Sequence, residues 1–290
     1  MFNFKRNTKV YLVYGSNKYR LEIYPDLNAN QTFDEQSIDR KTLHTPLDLH
    51  KHATIVKANV ANFSFTVPVF DNALSTEIQK ELDLATSYST GTAPSFDLYF
   101  ESDEITYKLE KAVFDRVTFN ISRDAVITAS LSGSGSKLIE FIGDIPGTLV
   151  AAPTRSYAKV DSLDIDVGTQ QLGSAINLVV EFANDIEWTK NDTIHATLEN
   201  DIQYRTSYVL KGRQVNGSIS EYLTADNQDQ LYDTTTNTSV DITINGGLLR
   251  FYLPSTVFTR RTDFGELFTR TYDYRLNTNS QSVKPIYKGV

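Results

Sequence analysis

The chain predicts a mainly β protein made of two tandem copies of one β unit of roughly 140 residues. Three observations carry this. The first is an internal echo: Ser95–Thr118 (SFDLYFESDEITYKLEKAVFDRVT) comes back as Ser239–Thr262 (SVDITINGGLLRFYLPSTVFTRRT). Without a gap, Asp97 falls on Asp241, Leu109 on Leu253, Val113-Phe114 on Val257-Phe258, Arg116 on Arg260 and Thr118 on Thr262. A second echo precedes it in each half: Ile55-Val56-Lys57 with Asn62, Ser64 and Phe65 matches Val209-Leu210-Lys211 with Asn216, Ser218 and Ile219. The second observation is composition, since 16 Tyr and 16 Phe stand against one Trp and one Met, and aromatic and β-branched residues favour strands. The third is length: 290 residues exceed what one core usually serves, and about 150 residues per domain gives two.

Composition closes several function classes. A formal net charge of −8 argues against ordinary high-affinity nucleic-acid binding, which needs a Lys/Arg footprint to displace counterions. An acidic surface can still let DNA pass. With no cysteine, disulfides, thiolate nucleophiles and thiolate metal sites are excluded. The opening MFNFKRNTKVYLVYG has no apolar core of signal-peptide length, and no run of about 18 apolar residues occurs. The expectation is a soluble protein with no membrane anchor, made and used without export.

In chain order, Lys9–Tyr14 and Tyr19–Tyr24 read as strands joined by the turn-rich Gly15-Ser16-Asn17-Lys18. From Pro25 to about Thr54 neither period is sustained, which is long for a loop and suits a segment ordered by a partner. Alternation returns over Asn59–Phe70, with Val60, Phe63, Phe65, Val67 and Val69 on one face; Pro68 lacks a donor and marks a strand end or edge. Ser75–Tyr88 predicts a helix, with Ser75 as cap and Leu74, Ile78, Leu82 and Ala85 as its apolar stripe. Phe96–Phe100 and Ile105–Leu109 form a hairpin. Val113–Ile121 and Val126–Leu131 follow, with Val117, Phe119, Ile121, Ile127, Ala129 and Leu131 alternating against Thr118, Asn120, Ser122, Thr128 and Ser130. Gly143–Thr154 is the boundary, punctuated by Gly and Pro. In the second unit Ala158–Val167, Ile176–Phe182 and Tyr208–Leu223 read as strands and Ala183–Arg205 as irregular. Asp226–Thr238 fills the first unit's helix slot with weaker helical character. Val240–Ile244, Leu249–Leu253, Ser255–Thr262 and Phe268–Leu276 complete the unit, with Asn245-Gly246-Gly247 as a hairpin signal and a polar, extended tail from Asn277.

Catalytic chemistry is hard to place. His44, His50 and His52 could put two ligands on one strand face, but no third accompanies them and solvated loop histidines are the simpler reading; His195 stands alone. Asp161, Asp164 and Asp166 lack the glycine turn and distal glutamate of a Ca²⁺ loop and read as a polar strand start. Ser132–Ser136 (SGSGS) lacks a P-loop ending and reads as a flexible strand connection. Arg260 and Arg261 suit an ion pair between subunits. No catalytic, cofactor-binding or metal-binding residue is assigned, no cofactor is expected, and a structural protein is favoured over an enzyme.

A family likeness rests on KRNTKV (Lys5–Val10), ANVANFSFTVPVFD (Ala58–Asp71), VFDRVTFNISRDAVITASLSG (Val113–Gly133), Ser207–Leu223 and Leu248–Leu276. In these the chain resembles siphophage tail tube proteins of the duplicated, T5-like type. The resemblance implies two domains, 1–148 and 155–290, each a tail-tube-type β-sandwich with a flanking short helix. It implies three chains of two units closing a pseudo-hexameric ring, and rings stacking into a tube. That tube would conduct DNA and the tape-measure protein and meet tail terminator and baseplate proteins, in the virion tail after assembly in the host cytoplasm. A baseplate tube-initiator or other phage tail structural protein shares the fold; a carbohydrate-binding β-sandwich is the alternative from another class. In a tube, Thr118, Asn120, Ser122, Thr128 and Ser130 are lumen-facing candidates because they share the polar face of neighbouring strands, and an acidic, small-polar wall repels phosphate. Pro25–Thr54 is the candidate ring-stacking arm, with Phe33, Ile38, Arg40, Leu43 and Leu47 docking on a neighbour. Within one subunit so few apolar anchors do not offset about 1–2 kcal/mol per ordered backbone residue.

Overall fold

The computed structural model describes residues 7–37, 54–70, 79–87, 92–123, 125–151, 156–189, 199, 202–225, 227, 237–277 and 286–287. The first half carries β1 (Lys9–Tyr14), β2 (Asn17–Leu21), β3 (Asn28–Asn30), β4 (Phe33–Ser37), β5 (Thr54–Ala58), β6 (Ala61–Pro68), α1 (Lys80–Thr86), β7 (Phe96–Glu101), β8 (Thr106–Ser122), β9 (Thr128–Gly135), β10 (Lys137–Phe141) and β11 (Thr148–Leu149). The second carries β12 (Leu163–Val167), β13 (Gln170–Gln171), β14 (Ala175–Trp188), β15 (Ile202–Gln203), β16 (Tyr208–Tyr222), β17 (Thr238–Ile244), β18 (Leu249–Phe264), β19 (Phe268–Leu276) and β20 (Ile286–Tyr287). The protein is mainly β, and α1 is the one α-helix among the described residues.

β8 organises this arrangement because it belongs to two neighbourhoods. Its start, Thr106–Ala112, lies between β7 and β10, and its end, Arg116–Ser122, lies between β9 and β14. At the switch Lys111 adopts a φ of 51°, the left-handed region uncommon for a residue with a Cβ. The Asp97 carboxylate holds that turn by accepting the Lys111 N–H at 3.0 Å. Ordered by antiparallel pairing, the first half runs β3–β6–β9–β8–β7–β1–β2. The second runs β14–β16–β19–β18–β17–β12–β13. The β8–β14 ladder, from Arg116↔Ala183 to Ser122↔Asn177, makes one continuous hydrogen-bonded sheet of the two series.

Local details recur along these series. β7 slips past β8 at Asp97, and β17 slips past β18 at Ser239. The Gln79 side chain accepts the Phe70 N–H (2.9 Å) and donates to the Pro68 carbonyl (2.8 Å), tying the chain before α1 to the end of β6. Asn227 does the same after β16, accepting the Thr224 N–H (2.7 Å) and donating to the Tyr222 carbonyl (2.8 Å).

The buried apolar side chains form one cluster drawn from both halves. Phe119 of β8 packs edge-on against Phe182 of β14 at 6.2 Å and Phe251 of β18 at 5.2 Å. An aromatic ring from the first half therefore fills the second half's interior. Elsewhere an aromatic lies over a glycine directly opposite it. Phe63 of β6 faces Gly133 of β9, and Tyr274 of β19 faces Gly217 of β16, donating across it to the Val179 carbonyl at 2.8 Å. A Cβ at Gly217 would stand 2.0 Å from the Val179 oxygen and 2.5 Å from the Tyr274 hydroxyl; one at Gly133 would stand 2.4 Å from the Phe63 ring. Covering a strand glycine with a cross-strand aromatic restores packing that the glycine forgoes.

Several expectations change. The serine–glycine run is no flexible connection: Ser134, Gly135 and Ser136 are buried, and β9 continues through Gly135. Pro25–Thr54 is not wholly irregular, because β3 pairs with β6 and β4 pairs with β5, and β15 joins β5 in parallel. Short strands whose partners lie far along the chain leave little periodicity to read. Ala183–Trp188 continues β14; there Asn184 is buried and donates to the Phe114 carbonyl at 3.0 Å. Beyond Phe114 the bulge at Asp115 consumes one residue, so Val117 and Arg260 hold the equivalent ladder places opposite Leu131 and Tyr272. The Asp97–Asp241 match likewise gives way to Asp97–Ser239, since each is the single residue opposite a two-residue bulge, Glu110-Lys111 on β8 and Pro254-Ser255 on β18. Ala61, not Val60, joins the buried face of β6. Leu82 and Ala85 of α1 are buried as expected, while Ser75, Leu74 and Ile78 lie outside the described residues.

Gly217→Ala is expected to lower unfolding free energy by about 1–3 kcal/mol, the usual cost of overpacking. Gly212→Ala, with nothing within 4 Å of the added Cβ, should change it by less than about 0.5 kcal/mol. Urea denaturation of both variants checks this; equal effects would contradict the packing account.

Candidate functional site

Successive residues of a strand point to opposite faces, so the strands that bury Phe119 and Phe182 present another set outward. One row across this outer face reads Thr66, Ser130, Thr118, Glu181, Asn216, Arg275 and Val257. The next reads Thr128, Asn120, Val179, Ser218, Asp273 and Thr259, and a third Ser122, Asn177, Ser220, Thr271 and Arg261. Hydroxyls link neighbours along the rows: Thr66 and Ser130 at 3.1 Å, Ser220 and Thr271 at 3.1 Å, and Thr118 donating to Glu181 at 3.4 Å. Arg116 pairs with Glu181 at 3.7 Å and Arg261 with Asp263 at 3.0 Å.

The halves also meet in a buried polar chain. The Trp188 indole N–H donates to the Ser134 hydroxyl at 2.9 Å, and that hydroxyl donates to Asp115 Oδ1 at 3.0 Å. The three residues border a cavity of about 840 Å³ that Asn62, Glu187 and Lys211 also line, the last two as an ion pair. Burial pushes the Asp115 carboxyl up to about 6, against the opposing effect of the Ser134 hydroxyl. No group of three or more His, Cys, Asp or Glu able to hold a metal occurs among the described residues.

A family model for the Bacteriophage Baseplate Tube Protein Family matches residues 1–290. The chain belongs to that family. It is thus a phage tail and baseplate structural protein, and its place is the virion. The comparison with curated proteins finds no match. The family match refines the tail-tube resemblance toward the baseplate. Among the described residues, no helix is long and apolar enough to cross a membrane.

In this baseplate tube family member, Thr118, Asn120, Ser122, Thr128 and Ser130 come together on the outer polar face, on adjacent β8 and β9. The face carries both signs of charge, because Arg116, Arg261 and Arg275 share it with Glu181 and Asp273. Of the arm residues, Phe33 is exposed on β4, and Ile38, Arg40, Leu43 and Leu47 lie outside the described residues, as do all four histidines. Asp164 and Asp166 stand exposed on β12, a polar strand as read. Asp115, Ser134 and Trp188 were missed. A lone tryptophan whose N–H needs a partner was the available signal, and it fell in the stretch read as irregular.

Because the folded Asp115 binds its proton more tightly than the ordinary 3.8 of the unfolded chain, its contribution is fully present at low pH and lost as pH rises through about 6. Asp115→Asn is expected to be more stable than the parent near pH 7 by on the order of 1–3 kcal/mol, with the gap closing toward pH ~4. Urea denaturation across this range measures it; a gap independent of pH would refute the assignment.

Proposed function

We propose that this protein builds rings of the baseplate tube, each ring three chains closed into a pseudo-hexamer and stacked coaxially, so that DNA and the tape-measure protein pass through the lumen. In this reading residues 1–148 and 155–290 are two copies of a tail-tube-type β-sandwich domain. The β8–β14 ladder carries the argument: it joins two series with the same strand order into one sheet, so the polar face runs unbroken from one half to the next. The matching bulges and the matching Gln79 and Asn227 tethers support the duplication. The passage of β8 between two neighbourhoods, with the Phe96 and Phe114 rings 4.5 Å apart, supports a sandwich.

The polar face is assigned to the lumen. Its short hydroxyl and amide side chains offer phosphate little to hold, and of its arginines Arg116 and Arg261 are already paired with carboxylates, which leaves Arg275. A wall with few free cations releases few counterions when DNA enters, so transit stays fast. Ring stacking is assigned to the Pro25–Thr54 arm, with other tail proteins at the two ends of the tube.

Negative-stain microscopy of the concentrated protein should show rings, and phage carrying Thr118→Lys with Thr128→Lys should assemble normally yet eject DNA more slowly at low salt, the defect fading as salt rises. Absence of rings at every concentration would overturn the ring reading. Normal ejection from intact mutant particles would remove the polar face from the lumen.

A further inference from the structure

We infer that the free edge of β18 over Thr259–Phe264 pairs antiparallel with Leu27–Thr32 of the next copy, in a register set by the chain's own β8–β14 ladder. This rests on the ring reading and names the contact that closes the ring. In the first half, the end of β8 has β9 on one side and β14 on the other. In the second half, the end of β18 has β19 on one side, and no described strand lies on the other. At the opposite end of the sheet, β3 pairs only with β6 among the described residues. Each end thus holds one half of the contact that β8 and β14 make inside the chain.

The ladders fix the register. Val113 and Asn62 share the partner Ser134, and Val257 and Asn216 share Arg275, so these are equivalent places. Asn30 lies opposite Asn62 as Glu181 lies opposite Asn216. Beyond the Asp115 bulge, Thr118 faces Ser130 as Arg261 faces Thr271. The internal pair Thr118↔Glu181 therefore maps onto Arg261 of one copy opposite Asn30 of the next, and two steps along Asp263 meets Asn28. Burial agrees: Leu178 and Leu27, equivalent in this scheme, are both buried.

The two versions differ in polarity for a physical reason. Within the chain the contact is permanent, and Val117 and Phe119 are wholly buried there. At the equivalent positions β18 has Arg260, exposed, and Thr262, partly exposed. Charge on an open edge keeps free chains from pairing indiscriminately. It also suits a partner edge flanked by Asp34 and Glu35, both exposed, so matching charges steer the correct encounter.

The chain has no cysteine, so introduced pairs report without background. Directly opposite antiparallel residues stand about 4.5–5.5 Å apart at Cα, within disulfide reach. Arg261→Cys with Asn30→Cys, and separately Asp263→Cys with Asn28→Cys, should give covalent rings on mild oxidation, seen as chain multiples on non-reducing gels. Arg261→Cys with Asn28→Cys should give none. Thr118→Cys with Glu181→Cys is the template control and should close within one chain. Rings seen by microscopy while neither test pair crosslinks and the control closes would overturn this pairing and leave the ring reading standing. Crosslinking by the offset pair alone would overturn the register. No rings in any sample, the parent included, would remove the ring reading and this inference with it.

Discussion

Everything in this molecule depends on one stretch of backbone pairing, Arg116–Ser122 of β8 against Asn177–Ala183 of β14. Buried N–H and C=O groups must be paired, and here the second half satisfies those of the first. The side chains follow: Phe119 enters the core around Phe251, and Glu181 meets Thr118 and Arg116 on the outer face. The halves are therefore not beads on a linker. They are neighbouring segments of one sheet, a shape suited to continuing around a ring.

Packing along that sheet uses one device in two mirror versions. Where β6 presents Phe63 to a glycine of β9, the second half puts the glycine on β16 and the aromatic, Tyr274, on β19. One ring fills the space in each case, and which strand supplies it does not matter to the volume. The tyrosine adds a hydrogen bond to Val179, a residue of the joining strand. Its hydroxyl is held fully buried, and burial drives its pKa far up, so it stays a neutral donor at any physiological pH.

Strand alternation from Phe63 to Leu131 and over Tyr208–Leu276 was legible because one face is apolar and the other small and polar, the pattern a half-buried strand needs. The two echoes were legible too, and the ladders link them, since Asn62 and Val113 meet through Ser134 as Asn216 and Val257 meet through Arg275. What stayed hidden depends on partners remote in sequence. The bulge at Asp115 shifts the echo by one residue without changing composition. Gly133 reads as a breaker until Phe63 lies over it. Ala183–Trp188 reads as irregular because Asn184 and Trp188 find their partners, Phe114 and Ser134, in the other half. The polar-face residues could be grouped from sequence, since they follow directly from alternation; the junction chain could not.

The central claim, that the sheet contact inside each chain is repeated between chains, is tested most directly by hydrogen exchange on the free protein and on assembled rings. The account predicts that amides of Thr259–Phe264 and Leu27–Thr32 gain protection on assembly, while those of Arg116–Ser122, already paired with β14, stay unchanged. Edge amides that exchange as fast in the ring as in the free chain would contradict it.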